Sequence, residues 1–139
     1  MQVIQSKEEA LHFNFSGGRA IYLQLAEKLE LLIAAGTYPP GDRLPPVREL
    51  ALTAKVNPNT AQKALGLLQD KHLITTDRTN GKFVTTDREL IAAAKLTLAK
   101  NYAASFLIKM SDIGLTKTQT IALLKSTDAS LKGTPHDTL

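Results

Sequence analysis

The chain has 139 residues, 43% apolar and 22% charged, which suits one globular domain or a small domain with an appendage. It contains no cysteine, so disulfides, thiolate metal sites and cysteine nucleophiles are excluded, and a reducing cytoplasm is the compartment that fits. The net charge is +4, and eight basic against five acidic residues between Thr37 and Arg88 place +3 of it mid-chain, a distribution compatible with a polyanionic partner.

The opening MQVIQSKEEAL carries Glu8 and Glu9 where a secretory signal needs an apolar run. No segment approaches the roughly 18 to 20 apolar residues that cross a bilayer, so no membrane partner is expected. Residues 1–16 show no sustained period and are expected to form an N-terminal arm, with Phe13 and Phe15 in a short strand or a docked segment. Gly17-Gly18 breaks the chain and reads as a hinge, since the rest of a phosphate-loop pattern is missing.

From Ala20 to Ala35, Ile21, Leu25, Leu29 and Leu32 recur at helical spacing, with Gln24, Glu27, Lys28 and Glu30 mostly elsewhere. Gly36 then fits the left-handed position just past a helix. The stretch TYPPGDRLPPVREL holds four prolines and a glycine, which exclude regular structure through most of it. Pro46 starts a short predicted helix, Val47 to Ala54. Lys55-Val56 is a tight turn, and Asn57 caps a second helix from Pro58 to about Lys71. Two short helices so joined form a helix-turn-helix.

Leu73–Thr76 and Lys82–Thr85 are rich in β-branched residues, and Asn80-Gly81 between them is a hairpin signal. A two-stranded ribbon at this place makes the arrangement a winged helix-turn-helix. Thr86 to Glu89 fits a capping box and opens a long helix on which Ile91, Ala94, Leu98, Tyr102, Phe106 and Met110 form one stripe. Gly114 ends it. A second capping box, Thr116 to Gln119, opens a short helix with Ile121, Leu123 and Leu124, and residues 128–139 read as a flexible tail. The fold class is therefore mainly α with a small β-hairpin wing, followed by a long and a short C-terminal helix. The expected divisions are an arm (1–16), the winged helix-turn-helix (17–86), a helical dimerisation region (87–127) and the tail.

The words YPPGDRLP, VRELA and VNPNT stand at mutual spacings that closely resemble the N-terminal DNA-binding domain of the GntR superfamily of bacterial transcription regulators. The resemblance runs from about Ala20 to Val84. The short helical part beyond the wing looks like that of the YtrA-like subfamily, whose C-terminal helices serve dimerisation. The resemblance implies a cytoplasmic bacterial homodimer, often a repressor, that binds double-stranded operator DNA and is frequently encoded beside transporter genes.

In such a fold the second helix of the pair lies in the major groove with its first residues at base edges. Asn and Gln can pair with adenine, Lys reaches guanine or phosphate, and Thr adapts to either. By resemblance, DNA contacts fall on Arg48, on Asn57, Asn59, Thr60, Gln62 and Lys63, and on the wing residues Arg78, Thr79, Asn80, Gly81 and Lys82. Each has a plainer reading: Asn57 as a cap, Arg48 as an ion-pair partner, Gln62 and Lys63 as a solvated face, Asn80-Gly81 as a turn. Three departures stand out. Pro46 occupies a place where relatives often have a capping Ser, Ala61 replaces a larger β-branched residue, and Gly66 interrupts the recognition helix at about 1 kcal/mol against Ala, as close packing against another helix would require.

The stripe from Ile91 to Met110 spans about 30 Å at roughly 1.5 Å per residue, and with Ile121 and Leu124 it is expected to pack against a second subunit. The alternative is a monomer in which it folds back on helix Ala20–Ala35. A small-molecule effector, if one acts, would use the dimer interface or the interdomain crevice. No cofactor or metal is expected: His12, His72 and His136 lack ligand spacing, and the absence of a catalytic triad order, paired carboxylates or a nucleotide loop argues against an enzyme. The remaining alternative is a winged-helix adaptor that binds protein and not DNA.

Overall fold

Proline and asparagine placement explains two helix starts, at Val47 behind Pro46 and at Pro58 behind Asn57. The computed structural model describes residues 7–12 and 14–127, so Phe13, His136 and the expected tail at 128–139 lie outside it. The elements follow the order α1 (Lys7–Ala10), α2 (Ile21–Ala34), α3 (Val47–Ala54), α4 (Pro58–Asp70), β1 (Ile74–Asp77), β2 (Gly81–Val84), α5 (Arg88–Asp112) and α6 (Lys117–Ser126). The chain divides into two compact units, one within residues 5–97 and a second that begins at Leu98.

In the first unit α2 packs on α4, α4 on α3, and the hairpin on the end of α4. Leu25 and Leu29 of α2, Leu50 of α3, and Leu65 and Leu68 of α4 are buried together with Leu73, Ile74 and Val84 of the wing. Each such side chain contributes about 1.5–3 kcal/mol on burial. Tyr38 and Leu44, from the proline-rich stretch, are buried with them. That stretch is not merely a loop. Gly41 N–H donates to Val84 O, Val84 N–H to Asp42 O and Leu44 N–H to Lys82 O at 2.8–3.0 Å, and Arg43 bridges Phe83, so residues 41–44 run along the outer edge of β2.

The arm is more structured than its composition suggests. Ala10 and Leu11 enter the core and Phe15 packs against it. Gln24 of α2 holds the following turn by accepting from Ser16 N–H and donating to the carbonyls of Ser16 and Arg19. Gly36 has φ +86°, the left-handed conformation expected past α2.

Three local expectations are corrected. The hairpin turn is not Asn80-Gly81: Asp77 pairs with Gly81, which leaves Arg78–Asn80 as the connection. The Asp77 carboxylate organises that connection by accepting from Thr79 N–H, Asn80 N–H and the Asn80 amide. The cap of α5 is Asp87 and not Thr86, because its carboxylate accepts from Glu89 N–H and Leu90 N–H at 3.1 Å, while Thr85 Oγ1 accepts from Asp87 N–H. Gly66 is not closely packed either, since a Cβ there would meet nothing within 4 Å. Ala61, by contrast, is fully buried.

The first unit extends past residue 86 because Leu90, Ile91 and Ala94 of α5 pack against its core. In the second unit α6 carries the expected capping box: Thr116 Oγ1 accepts from Gln119 N–H and Gln119 Oε1 accepts from Thr116 N–H. No helix of the described residues is long and apolar enough to cross a membrane.

Candidate nucleic-acid interface

The interface expected from the sequence is built on three supports: α3, the start of α4, and the wing. α3 buries Leu50, Ala51 and Ala54, and so leaves Arg48 and Leu52 together on the outer face, one turn apart. Leu52 is 79% exposed, an apolar side chain that the polarity of this face gave no reason to expect. Lys55 ends α3 at φ 59° and so turns the chain into α4 within three residues.

Asn57 caps α4: its Oδ1 accepts from Asn59 N–H at 2.7 Å, and Pro58 occupies the first helical position. The cap function engages the same side chain that resemblance offers to DNA. α4 buries Ala61, Ala64, Leu65 and Leu68. Asn59, Gln62 and Lys63 therefore stand exposed, with Thr60 half-buried beside them. Lys63 is not free in solvent, since its Nζ lies over the Tyr22 ring of α2, 4.8 Å from its centre. Tyr22 was not among the expected residues; its helical position placed it off the apolar stripe, and only packing brings it to Lys63.

In the wing, Arg78, Thr79 and Asn80 are exposed at the tip. Lys82 is partly engaged away from it, because its Nζ donates to Thr76 Oγ1 at 3.1 Å and lies 3.4 Å from Gln69 Oε1 of α4. Asn80 is held at both ends: its amide donates to Asp77 and its carbonyl accepts from Arg43 Nε at 2.9 Å. The hydrogen bond from Thr79 N–H, followed by those of Asn80, holds the Asp77 carboxyl below its usual value.

A cleft of about 630 Å³ between α3 and the start of α4 is lined by Pro46, Arg48, Leu52, Val56 and Pro58 among others. A second, of about 240 Å³, is lined by Arg43, Pro46, Arg78, Gly81 and Lys82 among others. Pro46 borders both, so Arg48, the start of α4 and the wing share one stretch of surface. Pro46 precedes α3 without a side-chain hydrogen bond to it, as its ring dictates. Arg43 sits in a proline-rich stretch without period or cap, so no local sequence signal marks it out.

The stripe expected to bind a second subunit divides in two. Ile91 and Ala94 pack on the first unit's own core. In the second unit, Tyr102 (57%), Phe106, Ile121 and Leu124 are exposed, and Leu98 and Met110 half-buried.

Residues 21–84 match the model of the family described as bacterial regulatory proteins, gntR family. The HTH-type transcriptional regulator YhcF of Bacillus subtilis is 32% identical over 112 residues, 81% of this chain and 93% of that one. The HTH-type transcriptional repressor YtrA of the same organism is 31% identical over 114 residues, 81% of this chain and 88% of that one. Among solved structures, a GntR family transcriptional regulator from Listeria monocytogenes superposes with a TM-score of 0.75 at 36% identity, over 82% of this chain and all of the other. The similarity to these proteins extends beyond the wing into the C-terminal helices.

Proposed function

This chain belongs to the gntR family of bacterial regulatory proteins, and on that premise we propose that it is a homodimeric, sequence-specific repressor that reads a palindromic operator. The observation that carries the reading is the exposed run Asn59, Gln62 and Lys63 at the start of α4, on a surface shared with Arg48 and the wing. These side chains suit base edges and phosphates in a major groove. A protein-binding adaptor would call for apolar side chains in their place. Arg48 and the wing residues Arg78 to Lys82 would hold the flanking backbone, Asn57 serving first as the cap.

The C-terminal helices, from Leu98 onward, act as the dimerisation region through Leu98, Tyr102, Phe106, Met110, Ile121 and Leu124. The exposure of Tyr102, Phe106, Ile121 and Leu124 supports that role. Two-fold symmetry then sets half-sites roughly 34 Å apart, or a multiple of it. The repressor name of the relative YtrA supports repression, and control of transporter genes in the cytoplasm extends the same resemblance. An effector, if used, would act through the dimer interface.

Selection of duplexes from random DNA with the purified chain tests the reading. A recovered palindrome bound about a thousandfold more tightly than random DNA is expected; equal affinity for both overturns sequence-specific recognition. Light scattering at micromolar concentration tests the dimer, and a monomer overturns it.

A further inference from the structure

Arg43 lies outside the residues assigned to DNA above, yet together with Asp77 it fixes the wing tip. Its Nε donates to Asn80 O at 2.9 Å, and its backbone bridges Phe83 in β2. The guanidinium lies directly over Gly81: a Cβ on that residue would come within 3.3 Å of both Nε and Nη2. Gly81 also has φ +108°, a conformation that side chains rarely adopt. The backbone angle therefore calls for glycine, and any side chain there would also press on the guanidinium above it.

The ordinary fate of such an arginine is an ion pair, and here an acid is at hand. Asp77 lines the same cleft, but its carboxylate accepts from Thr79 N–H, Asn80 N–H and the Asn80 amide. None of the ion pairs among the described residues involves Arg43. Of five guanidinium donors one is used, and the terminal nitrogens remain available on an exposed side chain beside Arg78 and Lys82.

We propose that Arg43 is a positioning residue for the wing which also grips a DNA backbone phosphate through its terminal nitrogens. The proposal rests on the DNA-binding reading above. A planar fork held by its third nitrogen is preorganised for a bidentate phosphate contact, so little ordering entropy is lost on binding. Phosphodiester oxygens are the acceptors that suit it, because the contact needs no particular base.

Salt titration of binding to a short random-sequence duplex tests this without knowledge of the operator. Arg43→Ala is expected to weaken binding and to reduce the slope of log affinity against log salt by about 0.9, one phosphate's worth. Arg43→Lys retains the slope but loses the Nε bond to Asn80, and binds several-fold more weakly than the wild type. Should Arg43→Ala fail to fold by circular dichroism, Arg43→Gln decides the same slope. A full wild-type slope in the neutral variant, with Arg48→Ala lowering it, overturns this proposal alone. Weaker binding at full slope reduces Arg43 to a wing brace and also overturns it. A wild-type chain without salt-dependent DNA binding overturns both this proposal and the DNA reading.

Discussion

The ammonium of Lys63 sits 4.8 Å from the centre of the Tyr22 ring and so joins the second helix of the helix-turn-helix to α2. A cation–π contact at a partly exposed site is worth about 0.5–1 kcal/mol. A Tyr22→Leu, Lys63→Met double-mutant cycle in urea denaturation is expected to return a coupling of that size. If Lys63 leaves Tyr22 to reach DNA, Tyr22→Leu alone should tighten DNA binding about two- to fivefold, the same energy expressed as a ratio. Weaker binding by Tyr22→Leu would show that the contact positions Lys63 for DNA and does not compete with it.

Asn57 offers a way to separate capping from reading. Its Oδ1 accepts from Asn59 N–H, and Asn57→Ala should cost about 1 kcal/mol of stability. Serine is a comparable cap with a shorter reach. Asn57→Ser is expected to restore both the thermal midpoint and the DNA affinity. A variant that regains stability while its affinity stays low would make Asn57 a base or phosphate contact as well.

Gly66 lies within α4 with open space where a side chain would go. Gly66→Ala should therefore stabilise the chain by up to about 1 kcal/mol, through helix propensity and a less flexible unfolded state. Chemical denaturation measures this directly. A loss of stability would reveal a contact at this position made by something beyond the single chain.

The wing has an acid-sensitive turn. Hydrogen bonds from Thr79 N–H, the Asn80 amide and Asn80 N–H hold the exposed Asp77 carboxyl below the ordinary aspartate value. A depressed carboxyl pKa gives stability that is present above the unfolded value and disappears as pH falls through the folded one. The Thr79 and Asn80 amide signals should therefore titrate in NMR with a midpoint below the ordinary aspartate range. Asp77→Ala should abolish that titration, and a midpoint at or above the ordinary aspartate value would refute the turn's ionic character.

The elements differ in how far the sequence shows them, for physical reasons. Pro46, Asn57-Pro58 and Thr116 to Gln119 announced their helix starts because capping is chemistry among residues within one turn. The Arg78–Asn80 connection was misplaced because Asp77 can organise a turn as well as Asn80-Gly81 can, and only strand register separates the two. Thr86 and Asp87 are both good caps, and the Thr85 hydroxyl, by accepting from Asp87 N–H, holds Asp87 in the capping place. The arm is unreadable from the sequence since Ala10, Leu11 and Phe15 carry no period and gain their place only from a core that α2, α3, α4 and the wing build together.

The sequence by itself determined the winged helix-turn-helix, its family and the polar run at the start of α4, because periodicity, caps and motif spacing are local properties of the chain. The tertiary structure alone decided what those side chains meet. Tyr22 reaches Lys63 across forty-one positions of sequence, and Arg43 reaches Asn80 and Gly81 from a proline-rich segment folded along β2. Such contacts follow from packing of elements remote in sequence, and no local pattern encodes them.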